Sequence, residues 1–290
     1  MRKEIYRILL VSFIFFSLPI YGKEPQILIA YSGIEASQNS AYAQVITGIE
    51  KKLNNAKKLE IDAGVDVLQA LLNHNSPDKI IALGKGVVDA VYKTSYREQT
   101  LAGLMFFKSG DYSGVSLALD SRVLVDQLFH LVPTVKRVFI IQQAHNQTID
   151  YFPAIDESSP ALEVREGVDS LSTIRLLGQL LEKEASATDA VFIPANLPNN
   201  ILYEVAKIAW DKKVILLSTN LSHLENGALM VAYPDGVALG EQLGRLTTRN
   251  EQPSYESVTG VSLALNRRVA QHLTIEFDQA SLDLFALKIK

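Results

Sequence analysis

Asp189-Ala190-Val191-Phe192-Ile193-Pro194-Ala195-Asn196 is the stretch on which the fold turns. A short run of apolar, partly β-branched residues continues without a polar interruption and stops at a proline and a polar loop, the mark of a strand buried on both faces. A helix over 201–210 follows it. The pattern then comes twice more, as a strand over 214–218 ending at Thr219-Asn220 and a strand over 228–232 ending at Tyr233-Pro234-Asp235, with a helix over 237–246. Short buried strands alternating with amphipathic helices predict βα units around a mainly parallel sheet. Such sheets bind ligands in the loops beyond the carboxyl ends of their strands.

Towards the N terminus the same alternation holds. Strands are predicted over 26–30, 59–61, 79–83 and 100–106, with Val45, Ile49 and Leu53 on one helix face and further helices over 65–72 and 87–92. Lys108-Ser109-Gly110-Asp111-Tyr112-Ser113-Gly114 is rich in turn formers and marks a boundary. Beyond it, Asp120 caps a helix carrying Val123, Leu124, Leu128 and Leu131, which Pro133 ends. A continuously apolar strand over 137–141 comes next. Pro153 and Pro160 interrupt any long helix over 146–160, a strand over 162–164 follows, and Asp169 caps a helix bearing Leu171, Ile174, Leu177 and Leu181. The expected fold class is therefore α/β, with two Rossmann-like lobes joined by crossing strands. Residues 25–109 and about 233–260 form the first lobe and 114–229 the second, with 261–290 assigned to neither. Two sheets with facing loop edges leave a cleft. No short fixed-period repeat points to a solenoid.

Arg2, Lys3 and Arg7 precede an uncharged apolar run over 8–20 and the small Gly22. That layout reads as a signal peptide over 1–22, cleaved after Gly22, and predicts a periplasmic protein. The competing reading, a membrane anchor, needs about 20 apolar residues, more than this run supplies. Cysteine is absent, which removes disulfides, thiolate catalysis, Cys-ligated metals and the lipidated Cys of a lipoprotein. The 28 basic and 32 acidic residues become 25 and 31 once 1–22 are removed, a net −6. That balance argues against a nucleic-acid partner, which needs clustered Lys and Arg.

Several stretches resemble the ABC-type periplasmic substrate-binding family that includes tryptophan and tyrosine transport components and has the type I periplasmic-binding fold. They are Asp189 to Pro194, Asn226-Gly227-Ala228-Leu229, Tyr233 to Gly240, and Leu263-Ala264-Leu265-Asn266-Arg267-Arg268-Val269-Ala270. Gly114-Val115-Ser116 and the stretch from Leu131 to Arg137 are similar to the family's entry into its second lobe. The resemblance spans most of the chain after 22. It implies lobes that close on a small solute such as an amino acid, and a membrane permease as partner. The chain departs from the family at Gly84-Lys85-Gly86, in the first loop over 32–40, which lacks a His-Pro pair, and in the Pro-rich segment over 144–160. These departures bear on specificity and on whether binding is kept. They motivate the alternative of a sensory or interaction module that signals to a membrane receptor.

The candidate ligand contacts sit in the loops after the strands. Gly84-Lys85-Gly86 opens a helix, so its free N–H groups, with Lys85 beside Gly86, suit a carboxylate or phosphate; a plain βα turn with an exposed Lys explains them equally well. Ser32 and Glu35 follow the first strand. Gln142, Gln143 and Asn146 follow the strand over 137–141, and Asn196, Thr219 and Asn220 follow later ones; such amides and hydroxyls suit a few specific hydrogen bonds, and also serve as ordinary caps. Tyr233 is placed to stack on a solute and Asp235 to pair an ammonium or to cap the next helix. No cofactor is expected. The five His residues show no metal-ligand spacing, no Gly-x-Ser-x-Gly elbow is present, and acid pairs such as Asp62 with Asp66 and Asp156 with Glu157 fall on predicted surface segments. An enzyme is not expected.

Overall fold

The computed structural model describes residues 25–61, 65–144, 147–151, 161–249 and 254–290. The predicted signal peptide, Asn146, Pro153 and the acids Asp62, Asp156 and Glu157 therefore lie outside the described residues.

The chain begins with β1 (Ile27–Tyr31), buried from Ile27 to Ala30, and continues through α1 (Gly33–Gln38), α2 (Ser40–Lys52), β2 (Lys57–Glu60), α3 (Val65–Asn75), β3 (Lys79–Leu83), α4 (Lys85–Val91) and β4 (Thr100–Gly103). After the turn over 108–113 come β5 (Gly114–Asp120), α5 (Ser121–Leu131), β6 (Arg137–Gln143) and the two-residue β7 (Ile149–Asp150). The remaining elements are β8 (Ala161–Gly167), α6 (Ser170–Lys183), β9 (Asp189–Phe192), α7 (Asn199–Asp211), β10 (Ile215–Ser218), β11 (Met230–Pro234) and α8 (Gly236–Thr248). β12 (Tyr255–Val258), β13 (Val261–Asn266), α9 (Arg267–His272), α10 (Gln279–Asp283) and β14 (Phe285–Ile289) end the chain.

Two sheets form, as the alternation of buried strands and amphipathic helices predicts. The first runs β12-β5-β4-β3-β1-β2, with β7 added beside β5; the second runs β14-β13-β11-β10-β9-β6-β8. Pairing is parallel in both except where β13 lies antiparallel to β11. Parallel strands covered on both faces must be apolar throughout, and Val138, Phe139, Ile140 and Ile141 of β6 are all buried.

The lobe boundary is shifted from the expected one. The turn over 108–113 does not end the first lobe, because β5 pairs with both β4 and β12 in the first sheet. Turn formers report a change of chain direction and say nothing of which sheet the next strand joins. The crossing comes after Asp120, whose side chain accepts from Arg122 N (2.9 Å) and starts α5. α5 then packs through Leu124, Leu128 and Leu131 against Phe192, Leu217, Met230 and Leu263 of the second sheet. The chain returns briefly at β7, returns again through α8 to β12, and crosses last between β12 and β13. Residues 261–290, unassigned from sequence, supply β13 and β14 to the second sheet.

The return through α8 depends on glycine. α2 and α8 approach so closely that a Cβ on Gly48 would stand 2.0 Å from Val237 O, and one on Gly240 2.0 Å from Val45 O. No side chain fits in either place. One apolar cluster extends through both sheets, joining Ile29 and Leu83 of the first to Val138 and Leu217 of the second. The outer faces of the two sheets have their own clusters, around Leu68 and Val88 in the first and around Leu177 and Leu202 in the second.

Candidate functional site

The loop edges of both sheets border one gap. Lys108, in the turn after β4, reaches Ala144 O beyond β6 (3.1 Å), and Thr219, after β10, donates to Thr148 Oγ1 just before β7 (2.9 Å). A cavity of about 460 Å³ is lined from both sides, by Lys108, Asp150 and Tyr255 with the first sheet and by Gln142 and Glu166 of the second. A second cavity of about 650 Å³ lies against the first lobe, bordered by Glu35, Tyr42 and Leu104 and by Pro234 and Gly236 at the start of α8.

On the first edge, the charged candidates are engaged with their neighbours. Ser32 caps α1, accepting from Glu35 N (3.2 Å). The Glu35 carboxylate accepts from the Tyr42 hydroxyl. Burial, then this hydrogen bond, pushes the Tyr42 hydroxyl well above its usual range, so it stays protonated as the donor. The pair covers the βα turn: a Cβ on Gly84, which sits at φ +84°, would fall 2.2 Å from the Tyr42 hydroxyl and 2.9 Å from Glu35 Oε2. Beside it, Gly86 is open towards Glu35 Oε1, 3.8 Å from where its Cβ would stand. Lys85 turns away onto Asp89 (2.8 Å), whose other oxygen accepts from the Tyr112 hydroxyl (2.7 Å). The start of α4 thus faces a carboxylate of the chain itself, and its lysine is spent on an aspartate one turn on.

The second edge is built of amides. Gln143 Oε1 accepts from Ser170 Oγ (3.3 Å) and from Asn196 Nδ2 (3.4 Å), so the loops after β6, β8 and β9 converge. Asn220 donates to Ala195 O (2.8 Å) and caps a turn of 3-10 helix through Ser222 N (3.0 Å). Strand alternation sends the adjacent Gln142 elsewhere. It is 5% exposed, donates to Glu166 Oε1 (3.1 Å) and belongs to the 460 Å³ cavity. Tyr233 is half-buried in β11, opposite Ser262 of β13. Asp235 caps α8 through Ala238 N (2.9 Å) and accepts from Ser262 Oγ (3.0 Å), the structural role weighed for it from sequence. The candidates are thus divided: Ser32, Glu35 and Gly86 on one edge, Gln143, Asn196, Thr219 and Asn220 on the other, Gln142 in the cavity between, and Lys85 and Asp235 in local pairs.

Sequence reasoning passed over His223, Asp150, Glu166 and Tyr255. His223 is buried, with Nδ1 at 2.8 Å from Ser218 Oγ and Nε2 at 3.1 Å from Leu197 O. A carbonyl only accepts, so Nε2 carries the proton and Nδ1 accepts from Ser218. Burial lowers its pKa, partly opposed by the bond to Leu197, and keeps the ring neutral. Asp150 accepts from the Ser257 hydroxyl (2.6 Å) and from the Tyr255 hydroxyl, linking β7 to β12. Apart from Ser218, five positions before His223, the partners of these residues stand far off in the chain, so no spacing announces them. Among the described residues, no group of three or more His, Cys, Asp or Glu could hold a metal ion, and no helix is long and apolar enough to cross a membrane.

Two mainly parallel sheets linked by several crossings, with their loop edges on a common gap, are the architecture of the type I periplasmic-binding fold. A substrate binding protein with adhesive properties from Clostridium difficile, CD0873 in its ligand-free, open structure, shares it: 15% identity over 92% of this chain and 100% of that one, TM-score 0.54. An ABC domain from Streptococcus pneumonia in complex with L-Trp is similar at 13% identity over the same shares, TM-score 0.48. A conserved domain protein from Vibrio cholerae is similar at 14% identity, again covering 92% and 100%, TM-score 0.44. At these identities the likeness is one of fold. No family model and no curated protein matches the chain.

Proposed function

We propose that this chain is an exported solute-binding protein that takes a small, amino-acid-like solute between its lobes and presents it to the membrane permease of an ABC-type importer. The observation that carries the reading is the cavity of about 460 Å³ lined from both sheets. A solute held there touches both sheets, so it favours the closed arrangement by the difference in its contacts with the two states. The permease reads that closed arrangement. The basic-apolar-small layout of residues 1–22 supports export to the periplasm. The fold shared with a substrate binding protein supports binding rather than turnover.

A thermal-shift screen of amino acids and related zwitterions tests the proposal. A solute at about a hundred times its Kd adds roughly 2.7 kcal/mol of stability, which raises Tm by about 5–10 °C for a chain of this size. No shift with any zwitterion removes that solute class.

A further inference from the structure

We infer that the cavity between β6, β7, β8 and β12 seats the ammonium group of the solute. The inference rests on the solute-binding reading and narrows it.

The hydrogen-bonding capacity of the lining decides the matter. Glu166 Oε1 takes both nearby amide donors, Gln142 Nε2 (3.1 Å) and Gln147 Nε2 (2.6 Å). Asp150 Oδ2 takes the hydroxyls of Tyr255 and Ser257. Each of these donors is thus engaged at least once. Acceptor capacity is left over beside them: each carboxylate keeps an oxygen outside these bonds, and the Gln142 carbonyl oxygen is buried with no hydrogen-bond partner in a side chain that is 5% exposed. A buried amide oxygen left unpaired is costly, so the site is incomplete until a donor arrives.

Charge points the same way. The lining carries two carboxylates, Asp150 and Glu166, against one ammonium, Lys108, whose Nζ is held by Ala144 O (3.1 Å). A monocation brings it to neutrality, whereas an anion deepens the imbalance on the carboxylate side. The rings of Tyr151 and Tyr255 add aromatic surface, which also favours a cation. A primary ammonium has three donors, enough for the Gln142 oxygen and both carboxylates. A solute lacking it leaves the buried Gln142 oxygen unanswered.

Matched probes test this. Tyramine and isopentylamine keep the ammonium of tyrosine and leucine without the carboxylate, and 4-hydroxyphenylpropionate and isocaproate keep the carboxylate without the ammonium. In calorimetric titrations of the mature chain, at least one amine is expected to bind and neither acid. Glu166→Gln is expected to weaken the amine roughly tenfold or more, the scale of a lost charge-assisted hydrogen bond. Asp150→Asn is expected to weaken it as well, with circular dichroism and the melting temperature of the unliganded variants separating lost binding from lost fold. Acids that bind as tightly as the amines overturn the ammonium site and leave solute binding standing. The ammonium site is equally overturned if the parent amino acids bind and the amines do not, or if neither variant changes amine affinity. If amines, acids and amino acids all fail to bind, the solute-binding reading falls too.

Discussion

The loop edge of the first sheet and that of the second are finished in opposite ways. On the first, charged groups close onto neighbours within a few residues: Glu35 onto Tyr42 across Gly84, and Lys85 onto Asp89, which also holds Tyr112. On the second, Gln143, Asn196 and Asn220 meet as neutral amides around a loop fixed from beneath by His223. An edge whose charges are already paired has fewer groups to offer a solute. An edge of amides, beside a cavity with acceptors to spare, suits a solute that brings donors of its own.

The two lobes are also anchored differently, and the strongest perturbations expose it. At the amino ends of β6 and β9, far from the loop edge, Arg137 grips the buried Asp189 with two hydrogen bonds (2.9 and 2.7 Å). Burial pushes that carboxyl up, yet Arg137 and the N–H and hydroxyl of Ser186 together hold it below the usual carboxylate range. Arg137 is half exposed, so the pair is asymmetric: losing the aspartate leaves a cation that water can reach, and losing the arginine strands a buried anion. Arg137→Met is expected to cost about 3–5 kcal/mol by urea denaturation at pH 7. The pH dependence carries the sign. In the natural chain Asp189 contributes stability that is present above about pH 4 and lost as pH falls through its lowered pKa. In the variant only the N–H and hydroxyl of Ser186 still oppose burial, so the pKa rises relative to the natural chain, acidification relieves the part of the defect due to the lost arginine, and the two stabilities draw together as pH falls. A deficit that stays constant with pH would show that Asp189 is not the group left stranded.

The first lobe has no such buried ion pair at the corresponding place among the described residues and relies on close contact instead. Gly240→Val puts a branched side chain where a Cβ already stands 2.0 Å from Val45 O, so α8 must move off α2. The expected cost is about 3 kcal/mol, at the upper end of ordinary overpacking because the obstacle is backbone. Hydrogen exchange should quicken in α2 and α8 and leave the helices packed on the outer face of the second sheet unchanged. Uniform loosening would mean that the shared apolar cluster, rather than this contact, holds the return in place.

How much of this the sequence carries follows from the range of the interactions. The strands and helices, and the caps at Asp120, Asp169 and Asp235, depend on residues a few positions apart and can be read directly, whereas Ser32, read as a candidate ligand contact, caps α1. The place where the chain changes sheets cannot, since the pairing of β5 with β12 joins residues far apart in the chain. The candidate site divides along the same line. Gln142 is legible as a polar residue ending a buried strand, but its partner Glu166 lies on the neighbouring strand, and Asp150 meets Tyr255 and Ser257 across more than a hundred positions. Lys85 misleads for the opposite reason. Its glycine neighbours suggest an open turn, while the partner that occupies it is Asp89, on the next turn of the same helix.

His223 gives the gentlest test of the contrast between the two edges. Its ring is the only described link from Ser218, at the end of β10, to Leu197, in the loop after β9, and Ser218 Oγ in turn accepts from Asn220 N (3.1 Å). Protonation at Nδ1 would replace an acceptor with a donor facing Ser218 and place a charge where burial disfavours it. The folded-state pKa is therefore lower than that of the unfolded chain. Stability is full above about pH 6.5 and falls as pH drops from there towards the folded value, by at most about 1.4 kcal/mol per pH unit. Urea denaturation between pH 8 and 5 should show that slope in the natural chain and its loss in His223→Leu, which has no proton to take up. Hydrogen exchange of residues 219–224 should rise on acidification while residues 84–91, on the self-paired first edge, stay protected. If both edges respond together, or the slope survives in the leucine variant, the second edge is not fixed through this ring.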